Sequence, residues 1–149
     1  MKVYLDVCCF CRPYDDKTSE RIRLEADAVL SIFERCKAGE LILLGSVALD
    51  EEISYIGDDE KRGQIISSLS LIHQYVEIDA KVLTIMQDYQ LMGLHTFDAL
   101  HCACATKGNA IFLTTDDYIT KTIRKQSPFG LYACNPVTWI MEANDENNQ

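Results

Sequence analysis

Five acidic residues stand where a carboxylate can do chemistry: Asp6, Glu52, Asp98, Asp116 and Asp117. The stretch from Thr96 through Asp98 and His101 to Ala105 reads as a helix, with Thr96 as its N-cap and alanines at 99, 103 and 105. Asp98 then lies in the first turn, where the helix dipole favours a negative charge. Residues 110–114 read as a buried strand that runs into Thr115, Asp116 and Asp117. Asp6 closes another apolar segment, Val3-Tyr4-Leu5. In an open α/β sheet, ligands bind at the carboxyl ends of strands. A carboxylate buried there without a partner is costly. Asp6 is therefore an N-cap, a salt-bridged acid or a metal ligand, and the equivalent placement of the other acids favours the last.

The elements that must position these acids alternate along the chain. A first strand covers residues 2–7. A helix spans residues 19–37, with Ile22, Ala26, Val29, Phe33 and Cys36 on one face and Gly39 at its end. Arg21, Arg23, Glu25, Glu34 and Arg35 lie elsewhere on it and read as a solvated face. Residues 41–45 form a second strand, and Ser46 can cap a helix carrying Leu49, Glu52 and Ile53. Asp50, Glu51 and Glu52 are consecutive, so they cannot share one face. Glu52, three positions after Leu49, is the inward choice, with Asp50 and Glu51 as alternatives.

Further on, the periodicity gives a helix through Ile65, Leu69 and Ile72, a short extended piece at 75–78, and a helix over 79–91 that stops at Gly93. After Asp117 come a helix over 118–125, a turn at 127–130, a last strand at 131–134 and a helix opened by Asn135-Pro136. Residues 144–149 carry no apolar side chain and are expected to be a disordered tail to a single domain over 1–143. Alternating strands and helices imply a three-layer α/β/α sandwich around a mostly parallel sheet.

Composition narrows the function classes. At 48% hydrophobic and 25% charged residues the chain should bury a core and be soluble. No apolar run is long enough for a membrane span and no signal-peptide pattern opens the chain, so a cytoplasmic protein is expected. The seven cysteines are odd in number and read as reduced, mostly buried thiols. A net charge of −9 excludes a general nucleic-acid coat protein but not an enzyme with a local acidic site.

Asp6 on a first strand, Glu52-Ile53 on the helix after the second, Asp98-Ala-Leu-His-Cys-Ala103 on a helix and Leu-Thr-Thr-Asp-Asp117 at the next strand end together resemble the PIN domain family. The resemblance runs from Lys2 to about Met141. It implies a PIN-like fold, and many small members of the family are VapC-type toxins: metal-dependent ribonucleases held inactive by an antitoxin, and usually homodimers. On this resemblance Asp6, Asp98 and Asp117 would hold Mg²⁺ or Mn²⁺, directly or through water. Glu52 would orient a metal-bound water, and Asp116 and Thr115 would support the site, with Asp116 as an alternative ligand. The chemistry agrees. Hard divalent cations take oxygen ligands, clustered acids repel one another without a cation, and a bound metal activates water and screens phosphate charge. Arg12, Lys121 and Arg124, with Lys17 and Lys125, could form a positive rim for an RNA substrate.

The chain departs from the family at Val7-Cys8-Cys9, where members often carry Ser or Thr and then Asn. A polar group is lost there or replaced by a thiol, which keeps open a catalytically weak or inactive RNA- or protein-binding module. Cys8 and Cys11 resemble half a zinc site, with no second Cys-x-x-Cys to complete it. Cys102 shares the helical face of Asp98. His101 reads as a packed helix residue rather than a general base. A phosphatase would place a second Asp two residues after Asp6, where Cys8 stands, and a receiver domain has no use for Asp98 at a helix start.

Overall fold

The computed structural model describes residues 1–126 and 128–147. The described strands are β1 (Lys2–Leu5), β2 (Ile42–Gly45), β3 (Gln74–Tyr75), β4 (Ile111–Leu113) and β5 (Ala133–Cys134). They form one sheet in the order β3-β2-β1-β4-β5, and every neighbouring pair is parallel. The helices are α1 (Val7–Cys11), α2 (Glu20–Lys37), α3 (Val47–Ser54), α4 (Asp59–Ser68), α5 (Ala80–Leu91), α6 (Thr96–Lys107), α7 (Asp117–Gln126) and α8 (Pro136–Asn147). The expected α/β sandwich is therefore observed, with a fully parallel sheet. Its central strands read as continuous apolar runs because helices cover both faces: Val3, Tyr4, Leu5, Leu43, Leu44, Phe112 and Leu113 are all buried.

The strand order fixes where a ligand can sit. From β1 the chain moves outward to β2 and β3, then returns past β1 to β4 and continues to β5. Right-handed crossovers put the helices of the two directions on opposite faces. The loops after β1 and β4 thus diverge and leave a crevice at the carboxyl ends of these two strands. The pairing persists to that edge, where the Asp6 amide donates to the Leu113 carbonyl at 2.9 Å.

Several boundaries differ from the sequence reading for local reasons. β1 stops at Leu5 because Asp6 caps the short helix α1, which periodicity over five residues did not reveal. Thr96 is the first residue of α6 and His95 occupies the capping position. Ser46 stands at the cap of α3 but makes no capping bond, because its hydroxyl goes to Tyr4 instead. Gly39 and Gly93 both follow helices at positive φ, 79° and 107°, where a Cβ would strain the backbone. Ser19 and Asp79 cap α2 and α5, and Asn135 accepts from the Val137 amide at the start of α8.

The expected tail is helical as far as it is described. α8 reaches Asn147, and Arg35 of α2 donates to the Asn144 side chain at 2.6 Å. Asn148 and Gln149, like the turn residue Ser127, lie outside the described residues. Among the described residues, no helix is long and apolar enough to cross a membrane. All seven cysteines are free thiols, and five of them are buried.

Candidate functional site

Asp6 anchors the crevice. Its Oδ1 accepts from the Val7 amide at 2.8 Å, so it caps α1, and its Oδ2 accepts from the Thr114 hydroxyl at 2.8 Å across the β1–β4 seam. The Cys8 thiol lies 3.5 Å from the same Oδ2. Asp6 is only 5% exposed. Burial pushes its carboxyl above the usual range, against the opposing pull of His101 and the Thr114 bond. The N-cap and the site acid are thus one residue.

Glu52 reaches the same place from α3. One of its oxygens lies 2.8 Å from His101 Nε2. Its neighbours Asp50 and Glu51 are exposed, and Glu51 accepts from the Tyr55 hydroxyl. One ligand atom from each of Asp6, Glu52 and His101 falls within 4.8 Å of the others. Among the described residues this is the one group of that kind, and it contains no cysteine. The half zinc site at Cys8 and Cys11 gains no partners: Cys8 is turned to Asp6 and Thr114, and burial pushes the Cys11 thiol up to about 11.

Asp98, in the first turn of α6, faces this group. Its carboxyl is pushed up to about 6, first by burial and then by the charges of Asp6, Asp116 and Glu52. Four acids therefore sense one another at the ends of β1 and β4. Asp116 is exposed, and its Oδ1 accepts from the Tyr118 amide at 2.9 Å, starting α7.

Asp117 does not join them. It is 57% exposed and receives both terminal nitrogens of Arg21 at 2.9 Å, which hold its carboxyl below the usual range. The expected ligand is thus engaged by Arg21, while the charge of its neighbour Asp116 is felt at Asp98. Consecutive residues at a helix start point about 100° apart, so only one of the pair can look inward.

Residues 114 and 115 divide in the same way. Thr114 turns in to Asp6 and also accepts from the Asp116 amide at 3.1 Å. Thr115 turns to Arg12, which donates to its hydroxyl at 3.0 Å. Arg12 is cross-linked rather than offered to a ligand. It donates to Glu25 and Asp15 as well, each at 2.9 Å. Glu25, expected on a solvated face, is 1% exposed and also accepts from Arg21 and Asn135. Lys121 is exposed on α7, and Arg124 reaches the Cys134 sulfur at 3.9 Å. A cleft of about 480 Å³ opens on this side, lined by Arg21, Glu25, Asp117 and Asn135 among others. Two of its acids, Glu25 and Asp117, are held in ion pairs with Arg21.

His101 is fully buried, with Nδ1 2.8 Å from the Tyr4 hydroxyl. The Phe97 ring stacks on it at 6.1 Å. Sequence reading left Thr114, Tyr4 and Ser46 out of the site. Two signals pointed to part of it: Tyr4 shares a strand face with Asp6 two residues later, and His101 follows Asp98 by three on a helix.

The donor set fits a hard divalent cation. The acids supply oxygen only, and their mutual repulsion is what a cation relieves. Asp6, Glu52 and His101 bring one atom each close enough to hold such an ion together, and Asp98 adds a half-buried carboxyl beside them.

The PIN domain family model matches residues 3–125. No curated protein matches the chain. Among solved structures it is similar to VapBC2 from Rickettsia felis bound to a DNA fragment from its promoter, with a TM-score of 0.61 and 18% identity over 91% of this chain and 98% of that one. It is also similar to FitAcB from Neisseria gonorrhoeae, with a TM-score of 0.57 and 16% identity over 90% of this chain and 97% of that one. At these identities the likeness concerns the fold.

Proposed function

The chain belongs to the PIN domain family, and on that premise we propose that it is a metal-dependent ribonuclease, the toxin of a toxin–antitoxin pair. The observation that carries this reading is the convergence of Asp6, Glu52 and His101 within 4.8 Å, beside Asp98, whose carboxyl is pushed up to about 6 by burial and by the charges of Asp6, Asp116 and Glu52. Asp6, Asp98 and Asp116 would hold Mg²⁺ or Mn²⁺ as the cofactor. When bound, the ion activates water at neutral pH and neutralises phosphate charge. Glu52 would orient a metal-bound water toward phosphorus, so its position would also bear on how firmly the ion is held. Thr114 keeps the Asp6 carboxylate turned to the crevice. No side chain becomes covalently attached to substrate.

The protein works in the cytoplasm on RNA. Lys121 and Arg124 on α7 guide the backbone toward the crevice, while Arg12 holds the scaffold. The fold shared with VapBC2 and FitAcB supports an antitoxin partner. Exposed apolar side chains on the long helices, Leu24 and Leu30 on α2 and Leu83 and Leu91 on α5, are available for an antitoxin or a second copy in a homodimer.

The test is cleavage of a mixed RNA pool by purified protein with Mg²⁺, Mn²⁺ or EDTA, beside Asp98→Asn. Cleavage that requires the metal and disappears in the variant supports the nuclease. Folded, metal-loaded protein that leaves every RNA intact favours a binding module instead.

A further inference from the structure

A chain of hydrogen bonds runs from the sheet to the metal crevice and engages both nitrogens of one buried imidazole. Ser46 Oγ lies 2.8 Å from the Tyr4 hydroxyl, that hydroxyl lies 2.8 Å from His101 Nδ1, and His101 Nε2 lies 2.8 Å from Glu52 Oε1. Ser46, Tyr4 and His101 are each 0% exposed. They come from three elements, the cap of α3, β1 and α6, and none of them is needed to close a helix or ladder bond.

The direction of the chain follows from its far end. With the Glu52 carboxylate oxygen as acceptor, the hydrogen of its bond to His101 is carried by Nε2. In the neutral ring Nδ1 is then an acceptor, the Tyr4 hydroxyl donates to it, and Ser46 donates to Tyr4. Burial raises the Tyr4 phenol well above its ordinary range, so it keeps its proton and remains a donor. In this arrangement each polar atom of the chain has a partner. The ring itself is clamped between Tyr4, 5.7 Å away between centroids, and the stacked Phe97.

We propose that Ser46, Tyr4 and His101 form a one-way hydrogen-bond relay that terminates on Glu52, so that His101 is a positioning residue for that carboxylate and not a metal ligand. The relay rests on the reading of the crevice as a divalent-cation site. Its role is to choose the rotamer of Glu52, a side chain that is 28% exposed and whose side-chain hydrogen bond among the described residues is the one to His101. The hydrogen-bond partners of a ligand set commonly change metal affinity or activity by 10–100-fold when removed. The relay is a long-range version of such support, since its links join residues 42, 97 and 49 positions apart.

The experiment uses the full chain and Mn²⁺ as the probe. Tyr4→Phe keeps all four acids and His101, removes one hydroxyl, and should weaken Mn²⁺ binding measured by electron paramagnetic resonance about tenfold. Ser46→Ala, at the start of the relay, should move binding in the same direction by less. Pulsed resonance of the Mn²⁺-loaded wild type should show no imidazole nitrogen coupling. Long-range ¹H–¹⁵N spectra of the metal-free wild type should place a proton on His101 Nε2, a result independent of how any variant folds. A bare Nε2, an imidazole coupling to Mn²⁺, or unchanged affinity in folded Tyr4→Phe would each overturn the relay while leaving the metal site standing. Wild-type protein that binds no Mn²⁺ would remove the metal site and the relay together.

Discussion

The Thr114 hydroxyl donates to Asp6 Oδ2 at 2.8 Å, joining the ends of β1 and β4 through side chains where the backbone ladder stops. It also accepts from the Asp116 amide, so one hydroxyl orders two of the four acids. Thr114→Val keeps the shape and removes both bonds. It should cost about 1–3 kcal/mol in urea unfolding, the range for leaving buried polar groups unpaired, and should weaken Mn²⁺ binding.

The division of labour between Asp116 and Asp117 gives a paired test. Asp116→Asn should abolish metal-dependent cleavage. Asp117→Asn breaks an exposed ion pair with Arg21 and should leave both Mn²⁺ affinity and cleavage at the wild-type level, as measured by calorimetry and RNA turnover. Equal losses in the two variants would restore Asp117 to the site.

These two residues also show where sequence reading stops. Asp6, Asp98 and the acids after β4 were legible because strand ends and helix starts follow from periodicity and turn chemistry. Glu52 was separable from Asp50 and Glu51 by its spacing from Leu49. Asp116 and Asp117 differ only by a rotation about one turn, and the rotation is decided by Arg21, 96 positions away. Glu25 was misread for the same reason: Arg12, from a loop, and Asn135, before the last helix, converge on it only in the fold. Helix α8 continued past the last apolar residue because polar contacts, such as Arg35 to Asn144, hold its exposed face.

Glu25 should be a stability residue. It is buried under Arg12, Arg21 and Asn135, and Glu25→Ala leaves the partly buried Arg12 without its main counter-charge. Removing one partner of a buried pair costs about 3 kcal/mol or more. The variant should show that loss in denaturant unfolding, well beyond that of Glu34→Ala on the exposed side of α2.

The metal-free protein should become less stable as pH rises through the Asp98 titration. An unfolded carboxyl titrates near about 4, whereas folded Asp98 titrates at about 6. The native state therefore holds this proton more tightly, and stability falls between these values as the carboxylate ionises against Asp6, Asp116 and Glu52. Thermal melts in EDTA should fall from pH 5 to pH 7. Asp98→Asn should flatten that slope, and Mn²⁺ at pH 7 should restore the wild-type melting temperature.

The central claim is that the carboxylates at the switch point hold one divalent cation between them. Anomalous diffraction from crystals soaked in Mn²⁺ tests it directly. A peak is expected within bonding distance of Asp6, Asp98 and Asp116, with Asp117 still on Arg21. A peak in the Arg21–Asp117 cleft, or an empty crevice with the four acids unchanged in saturating Mn²⁺, would contradict it.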